Sequence, residues 1–225
     1  MSHTNQCGFF YTLPFEEYQT LPGLNQSKLK QQLSSPSKQK QGYQIQQAMK
    51  FGNAGHCFLL EPHKFEELYV CAPKTLSRRG KNGKKSWEEF CRLHSGKNVL
   101  TSTEWEQLQK IRKVFHINPK IMQFWKHGET EVSMFWEDVE LGLDCKARMD
   151  WYDADSMKIV DLKFTKSIGK LCNHKLMDQH FSVQAAWYRR GVYQLTGDAC
   201  DFLFIFIEKY SPHIIRVIKA NEEII

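Results

Sequence analysis

Apolar and polar residues alternate along the second half of the chain with a period of two, which is the side-chain period of a β-strand. The alternation runs through residues 131–136 and 145–152, with turn-forming residues at 140–142 and 153–156. A third apolar run covers Lys158 to Phe164, so we predict a three-stranded antiparallel meander. The residues expected to share one face of the second strand are Cys145, Ala147, Met149 and Trp151.

Helical spacing dominates the first half of the chain. It predicts helices over Ser27–Leu33 and over about Gln44–Leu60. Two capping-box sequences, with a hydroxyl residue three positions before a glutamate, predict further helices that open at Ser86 and at Thr103. Asn118-Pro119 predicts another, ending near residues 127–128.

The two ends of the chain complete this pattern. Residues 1–25 contain several turn formers and predict an irregular arm. A helix is expected over about Phe181–Leu195, followed by strands over Asp201–Glu208 and His213–Lys219. The predicted fold class is α/β, with a central mixed sheet that contains the meander and is flanked by helices. We expect a single domain over 1–225, with a helical region over about 1–128 and a sheet core over about 129–225.

Composition narrows the class of protein. Hydrophobic residues make up 41% and charged residues 25%, as in soluble globular proteins. No apolar run approaches the roughly 20 residues of a membrane helix, and the N-terminus lacks a signal pattern, so we expect a cytoplasmic protein with no membrane association. The seven cysteines include no C-x-x-C pair, which argues against a zinc ribbon, an iron–sulfur cluster or a disulfide framework.

The positive charge is unevenly distributed. The net charge is +6, and a cluster of cations lies between Lys74 and Lys85 with Gly80 and Gly83 among them. This composition predicts a flexible basic loop that contacts a phosphate backbone, and a merely solvated surface loop is the alternative. The candidate DNA-binding residues are Arg78, Arg79, Lys81, Lys84 and Lys85.

The chemistry is concentrated on the predicted hairpin between the second and third strands of the meander. Asp161 and Lys163 are two residues apart, so they project from one face about 7 Å apart along the strand. Asp150 precedes the turn at 153–156, and symmetric pairing about that turn brings it close to Asp161. Two buried carboxylates need a cation between them, and Mg²⁺ or Mn²⁺ suits oxygen ligands. The alternative is a surface salt bridge on the hairpin.

Further residues extend this set. Gln184 and Tyr188 are four positions apart on a predicted helix and therefore share a face. His56 follows Gly55 near the end of the helix over about Gln44–Leu60, where a structural histidine is the alternative. The ordered set resembles the RecB-like branch of the PD-(D/E)XK nuclease superfamily, and within it the RecE-type exodeoxyribonuclease VIII catalytic domain. The segments that carry the resemblance are 51–62, 131–133, 145–150, 161–163 and 183–188.

The resemblance implies a role for each matching residue. It implies that Lys163 is the catalytic lysine and that Gln184 and Tyr188 position the DNA backbone and the site. Glu131 is a weaker catalytic candidate that would assist a second metal or the DNA end, and a solvated carboxylate is its alternative. The implied metal ligands are His56, Asp150, Asp161 and the carbonyl of Leu162.

The same resemblance implies an activity: Mg²⁺- or Mn²⁺-dependent 5′-to-3′ hydrolysis of one strand at double-stranded DNA ends. Such phage-type enzymes leave 3′ single strands for an annealing protein in DNA recombination, and a homo-oligomer is compatible with the pattern. An endonuclease of the same superfamily and a catalytically silent DNA-binding module are the alternatives. The scattered cysteines oppose an iron–sulfur nuclease.

The sequence departs from the family pattern at its end. Family members generally continue past the last strand into a C-terminal helix, whereas this sequence ends at Ile225. We therefore expect differences in oligomerisation, processivity or stability, while the motif residues are retained.

Overall fold

The computed structural model describes residues 7–33, 42–76, 78–169 and 180–220. Its strands are β1 (Gly8–Phe10), β2 (Tyr69–Cys71), β3 (Asn98–Leu100), β4 (Glu129–Asp138), β5 (Leu143–Asp153), β6 (Lys158–Thr165), β7 (Asp201–Glu208) and β8 (Ile215–Ala220). Its helices are α1 (Phe15–Thr20), α2 (Gln26–Leu33), α3 (Gly42–Leu60), α4 (Pro62–Leu68), α5 (Gly80–Leu93), α6 (Ser102–Ile117), α7 (Pro119–Met122) and α8 (Phe181–Thr196).

A six-stranded sheet in the order β1-β4-β5-β6-β7-β8 forms the centre of the molecule. The pairs in the β4–β5–β6 meander are antiparallel, and β6 pairs with β7 in parallel through a crossover that contains α8. A parallel pair requires such a crossover because the chain must return to the same end of the sheet. The predicted mixed α/β fold with a central sheet between helices is confirmed.

The sheet separates two hydrophobic clusters. On one face, β4 and β5 pack against α8 through residues that include Val132, Met134 and Ala185. On the other face, Val160 and Leu162 of β6 pack against α3, α4 and α6. Since β6 is buried on both faces, its polar residues Asp161 and Lys163 stand at a place where the chain otherwise supplies apolar side chains.

The alternation along β5 breaks at Asp150, which the regular pattern did not predict. Met149 packs in the first cluster, but Trp151, two residues later, packs in the second, stacked on Trp125 with ring centroids 5.7 Å apart. A β-carbon on Gly128 would lie 2.2 Å from the Trp151 ring, so this glycine makes room for it. The expectation that Trp151 shares a face with Met149 was therefore wrong.

Short strands are the other departure from the predicted elements. Residues 8–10 of the expected irregular arm form β1, which pairs with residues 133–135 of β4. β2 and β3 form a separate parallel pair. Three-residue strands give too few alternations for a periodic signal, and both pairs depend on partners distant in sequence.

Helix starts also differ from the expectations. α5 begins at Gly80, so Lys81, Lys84 and Lys85 are helical and the expected loop is shorter than predicted. The expected start at Ser86 was wrong. α6 uses the earlier capping sequence: the Thr101 hydroxyl accepts from the Glu104 N–H at 3.2 Å, and the Glu104 carboxylate accepts from the Thr101 N–H at 2.8 Å. The expected start at Thr103 was therefore two residues late, and α7 is shorter than predicted.

The described cysteines are free thiols, and Cys172 lies outside the described residues. The end of the chain, residues 221–225, also lies outside them. Among the helices of the described ranges, none has both the length and the apolar character needed to cross a bilayer.

Candidate active site

Three neighbouring strands and one helix bring the predicted site residues together. Glu131 lies between Thr130 and Val132, which pair with Trp151 and Met149, so it stands opposite Asp150. The pairing of Trp151 with Val160 continues by one step to place Asp150 opposite Asp161. The predicted approach of the two aspartates across the hairpin is thus present in the structure.

His56 reaches the sheet from α3. Its Nδ1 lies 3.3 Å from Oδ2 of Asp150, and the same oxygen accepts a hydrogen bond from the Leu162 N–H at 2.7 Å. α3 approaches β6 closely at Gly55, where an added β-carbon would lie 2.3 Å from the Phe164 ring. The small residue therefore allows the helix to hold His56 against Asp150.

Glu131 completes a cluster of three ligand-bearing side chains. One ligand atom each from His56, Glu131 and Asp150 lie within 4.8 Å of one another. Glu131 has a φ of 55°, which is uncommon for a residue other than glycine and costs on the order of 1–3 kcal/mol. Such strain is retained where the surrounding structure fixes a functional geometry, so the weakest sequence candidate occupies a central place.

Asp161 and Lys163, two residues apart on β6, form an ion pair, as their spacing predicts. The other oxygen of the Asp161 carboxylate accepts from the amide of Gln184 on α8. Asp161 is buried, and its Oδ2 is the oxygen that pairs with Lys163. The neighbouring cluster of two carboxylates and an imidazole is a set of oxygen and nitrogen ligands that suits a divalent cation. These residues therefore fit a metal centre.

Tyr188 supports the site from α8. Its hydroxyl donates to the main-chain carbonyl of Arg148 at 2.9 Å, and burial holds the pKa of Tyr188 well above its ordinary value. Gln184 and Tyr188 are both buried and contact protein groups, so the geometry favours their positioning role within the site. The main chain of Leu162 enters the site through its N–H; the role of its carbonyl stays a prediction.

Burial and neighbouring charges shift the pKa values of the three acidic side chains of the site in different directions. Burial disfavours ionisation of Asp161 and raises its pKa despite the nearby Lys163. Burial, together with the negative charge of Asp150, raises the pKa of Glu131 to about 6. Burial also opposes ionisation of Asp150, but His56 and Lys163 hold the pKa of Asp150 below its ordinary value.

The pKa of His56 is set by a competition between burial and the neighbouring carboxylate. Burial disfavours its imidazolium form, yet the Asp150 carboxylate outweighs burial, and the pKa of His56 is raised. The site thus favours the protonated imidazole of His56 and the ionised carboxylate of Asp150, and it resists ionisation of Glu131 and Asp161. A bound divalent cation would compensate the same negative charge.

The cluster lies in a cleft of about 970 Å³. One wall comes from α1 and presents Phe15 and Tyr18, and Leu68 lies at the end of α4. Glu131 and Asp150 are also among the lining residues. Phe15 and Leu68 are exposed large apolar side chains, 49% and 41% accessible, beside otherwise polar groups. The cleft therefore combines apolar walls with a charged cluster of candidate ligands.

The predicted basic cluster lies elsewhere. Arg78 stacks on Trp87, with its guanidinium carbon 3.7 Å from the ring centroid. Lys74 pairs with Glu106 at 2.5 Å. None of the described side chains of Arg78, Arg79, Lys81, Lys84 or Lys85 lines the cleft. Their contribution to DNA binding stays a prediction.

Two basic residues near the site were not singled out by their sequence positions. Arg148 contacts Glu131, and Lys30 of α2 lies 5.8 Å from the centroid of the Phe181 ring, which Lys163 approaches to 5.7 Å. Burial and the neighbouring Lys163 lower the pKa of Lys30 to about 8. The alternation of β5 places Arg148 next to Asp150, but nothing local indicates that α2 returns to β6.

Residues 25–225 match the family described as "PDDEXK-like domain of unknown function (DUF3799)". This chain belongs to that family. The match spans the meander, α3 and α8, and therefore includes the elements that carry His56, Glu131, Asp150 and Asp161. No curated protein matches the sequence significantly.

Two solved structures match the chain to different degrees. A crystal structure of a protein described as "Putative exonuclease" from Eubacterium rectale has a TM-score of 0.57 and 21% identity. It covers 79% of this chain, and the chain spans 60% of that protein's length. The crystal structure of SSO0001 has a TM-score of 0.33 and 18% identity. The match covers 81% of this chain and 79% of the SSO0001 chain. At these identities the likeness to the Eubacterium rectale protein concerns the fold.

Proposed function

We propose that this chain is a divalent-metal-dependent deoxyribonuclease. The observation that supports this most is the meeting of His56, Glu131 and Asp150 beside the Asp161–Lys163 pair at an open cleft. Metal-assisted polynucleotide hydrolysis uses an oxygen-rich metal site and a cation near the phosphate, and this cluster offers residues for both. A silent DNA-binding module would not need the strained Glu131 or the buried carboxylate of Asp161.

The residues of the site have separate roles in the proposed reaction. His56, Glu131, Asp150 and Asp161 are the groups that would hold Mg²⁺ or Mn²⁺, which when bound neutralises phosphate charge and lowers the pKa of a bound water. Lys163 supplies an ammonium that orients water or stabilises the charge that develops on the phosphate. Gln184 fixes the Asp161 carboxylate by donating to it.

We further propose that the enzyme degrades linear duplex DNA from its 5′ ends and leaves 3′ single strands for an annealing protein. Two observations favour an exonuclease over an endonuclease. The ordered motif set resembles the RecE-type catalytic domain, and the Eubacterium rectale protein of similar fold is described as a "Putative exonuclease". Mg²⁺ is the proposed physiological ion, with Mn²⁺ as a substitute.

Incubation with end-labelled DNA tests this proposal. Linear duplex labelled at the 5′ or the 3′ end and covalently closed circular duplex are each incubated with Mg²⁺ or with excess EDTA. We expect early release of 5′ label as mononucleotides, late loss of 3′ label, and intact circles. Cleavage of circles would replace the exonuclease by an endonuclease. Hydrolysis in excess EDTA would contradict the metal dependence, and the absence of hydrolysis under every condition with divalent cation would contradict the nuclease itself.

A further inference from the structure

The N-terminal arm, residues 7–24, takes part in the site although the family match begins at residue 25. It contributes β1 to the edge of the sheet and α1 to the wall of the cleft. The Leu24 N–H donates to the Asp144 carbonyl at 2.8 Å, and the Lys146 N–H donates to the Leu24 carbonyl at 2.8 Å. The arm is therefore joined to β5 at its far end as well as to β4.

A buried lysine holds α1 in place. Lys146 is 2% exposed, and its ammonium donates to the main-chain carbonyls of Tyr18 at 2.8 Å, Gln19 at 3.4 Å and Leu21 at 2.6 Å. These carbonyls lie at the C-terminal end of α1, where the helix has no partners of its own for them. Lys146 thus fastens the arm to β5 without contacting the proposed metal ligands through its side chain.

Arg148, two residues further along β5, contacts the arm and the site at once. Its Nε donates to Oε2 of Glu131 at 2.7 Å, and one terminal nitrogen donates to the Leu13 carbonyl at 2.8 Å. The same nitrogen donates to the Ser133 hydroxyl at 2.7 Å. The Arg148 side chain is only 8% exposed. Its carbonyl accepts from Tyr188, so α8 also fixes this residue.

We propose that Arg148 is a positioning residue that makes the placement of the Glu131 carboxylate depend on the N-terminal arm. The inference rests on the proposed function only in treating Glu131 as a metal ligand. The guanidinium is a rigid planar fork, so its Nε can stay on Glu131 only while its terminal nitrogen finds partners at Leu13 and Ser133. When the arm moves, the fork loses one of these partners.

The strain at Glu131 explains why such a holder is needed. A residue with φ of 55° inside a strand relaxes unless other contacts over-determine its conformation. The carboxylate also stands near Asp150, which repels it. Arg148 supplies both the opposite charge and the fixed direction. A lysine at this position would supply the charge without the fork.

Metal binding in two Arg148 variants tests the proposal directly. We expect Arg148→Met and Arg148→Lys each to weaken Mn²⁺ binding, measured by calorimetry, by about 10- to 100-fold, the range for losing a partner that orients a ligand. A purely electrostatic role predicts that Arg148→Lys binds like the wild type, and that result would overturn the proposal. Steady-state kinetics should show the loss in kcat more than in KM for DNA.

A variant of Lys146, the second residue that holds the N-terminal arm, tests whether the placement of Glu131 depends on the arm. Lys146→Met should increase amide hydrogen exchange in β1 and α1 and weaken Mn²⁺ binding, although Lys146 contacts no ligand. In an Arg148→Met background, Lys146→Met should weaken Mn²⁺ binding no further, because the link is already broken. Independent, multiplying losses would contradict the link. Leu13→Gly, which frees the backbone at the Arg148 contact, serves the same purpose if Lys146→Met does not fold.

Arg190→Met is the matched control. Arg190 of α8 also pairs with β4, through Asp138 and not through Glu131. These acids are seven residues apart on β4, roughly 23 Å at the rise of a strand. This variant should cost stability and leave Mn²⁺ affinity unchanged. If the wild type binds Mn²⁺ but hydrolyses no DNA, the proposed nuclease activity is refuted and the role of Arg148 is not. If the enzyme is active and the Arg148 variants bind Mn²⁺ like the wild type, the role of Arg148 is refuted and the nuclease activity is not.

Discussion

Asp161 shows how function and stability conflict at a single residue. Burial raises its pKa, and a carboxyl group whose pKa is raised on folding destabilises the folded state at any pH above its ordinary pKa, because the folded state favours the protonated form. At neutral pH the ionised side chain is therefore a cost that the pair with Lys163 offsets only in part. A residue retained despite such a cost is a candidate for chemistry.

The first prediction follows from this conflict. Asp161→Asn should reduce DNA hydrolysis by more than the roughly 10- to 100-fold that loss of an outer-shell partner costs, since it removes a proposed ligand. Removal of the buried charge should leave the midpoint of thermal unfolding unchanged or raised. Hydrolysis rates and thermal unfolding measured on the same preparation check both parts. Wild-type hydrolysis in the variant would exclude Asp161 from the reaction.

Lys163 allows chemistry to be separated from metal binding. Lys163→Ala should leave Mn²⁺ affinity nearly unchanged but slow single-turnover hydrolysis by about 100-fold or more, the scale of losing one electrostatic contact to a transition state. Lys28→Ala is the control, because Lys28 also lines the cleft but donates to the Gly23 carbonyl at 3.3 Å. Equal rates for Lys163→Ala and the wild type would return Lys163 to a structural ion pair.

At the scale of elements, α3 illustrates how a helix delivers one ligand to a sheet. Gly55 touches the Phe164 ring, whereas a β-carbon on Gly52, three residues earlier, would meet nothing within 4 Å. Alanine is favoured over glycine inside a helix by roughly 1 kcal/mol. The two glycines therefore have opposite consequences for the same substitution.

We predict that Gly52→Ala stabilises the protein by up to about 1 kcal/mol. Gly55→Ala should destabilise it by about 1–3 kcal/mol, because the new methyl group forces α3 away from β6. This displacement should also weaken Mn²⁺ binding through His56, while Gly52→Ala binds as the wild type. Chemical denaturation and calorimetry measure the two effects. A tolerated Gly55→Ala would show that α3 can shift without consequence.

α5 has a charge distribution that does not favour its own stability. Its first turn contains no acidic residue, and Lys81, Lys84 and Lys85 lie near the helix N-terminus, where the helix dipole disfavours cations. No side chain of α5 (Gly80–Leu93) is buried. Cations retained at an unfavourable end of an exposed helix suggest an external polyanion.

We therefore predict that Ala at Arg78, Arg79, Lys81, Lys84 and Lys85 weakens DNA binding at low salt. The salt dependence of log K should become shallower by up to about 0.9 for each lost phosphate contact, without loss of helix content. Hydrolysis at saturating DNA should change little. A control with Ala at the exposed Lys110, Lys113, Lys120 and Lys126 should keep the wild-type slope. An unchanged slope in the first variant would mean that α5 is merely solvated.

Local sequence patterns predicted the elements that are long and periodic. The β5–β6 hairpin and its aspartates followed from alternation and a turn, because both are encoded within about 20 residues of one another. The pairing of β1 with β4 and the packing of Trp151 on the other face of the sheet depend on partners more than 20 residues away in sequence. Glu131 was undervalued because its strained φ arises from tertiary contacts that no local pattern records.

At the scale of the whole molecule, the site joins parts that lie on opposite faces of the sheet. His56 arrives from α3 with the second cluster, whereas Gln184 and Tyr188 arrive from α8 with the first. Glu131, Asp150 and Asp161 belong to three adjacent strands between them. A cation held by this set would connect both halves of the fold, so metal binding should be coupled to global stability.

We predict that Mn²⁺ at 100 times its dissociation constant raises the midpoint of thermal unfolding by about 5–10 °C. A ligand that binds only the folded state stabilises it by about 2.7 kcal/mol at this excess. Each kcal/mol shifts the midpoint of a chain this long by roughly 2–4 °C. His56→Ala should remove most of the shift, because it deletes the ligand that α3 contributes. A wild-type midpoint independent of Mn²⁺ would mean that His56, Glu131 and Asp150 form no metal centre, whatever the nuclease assays show.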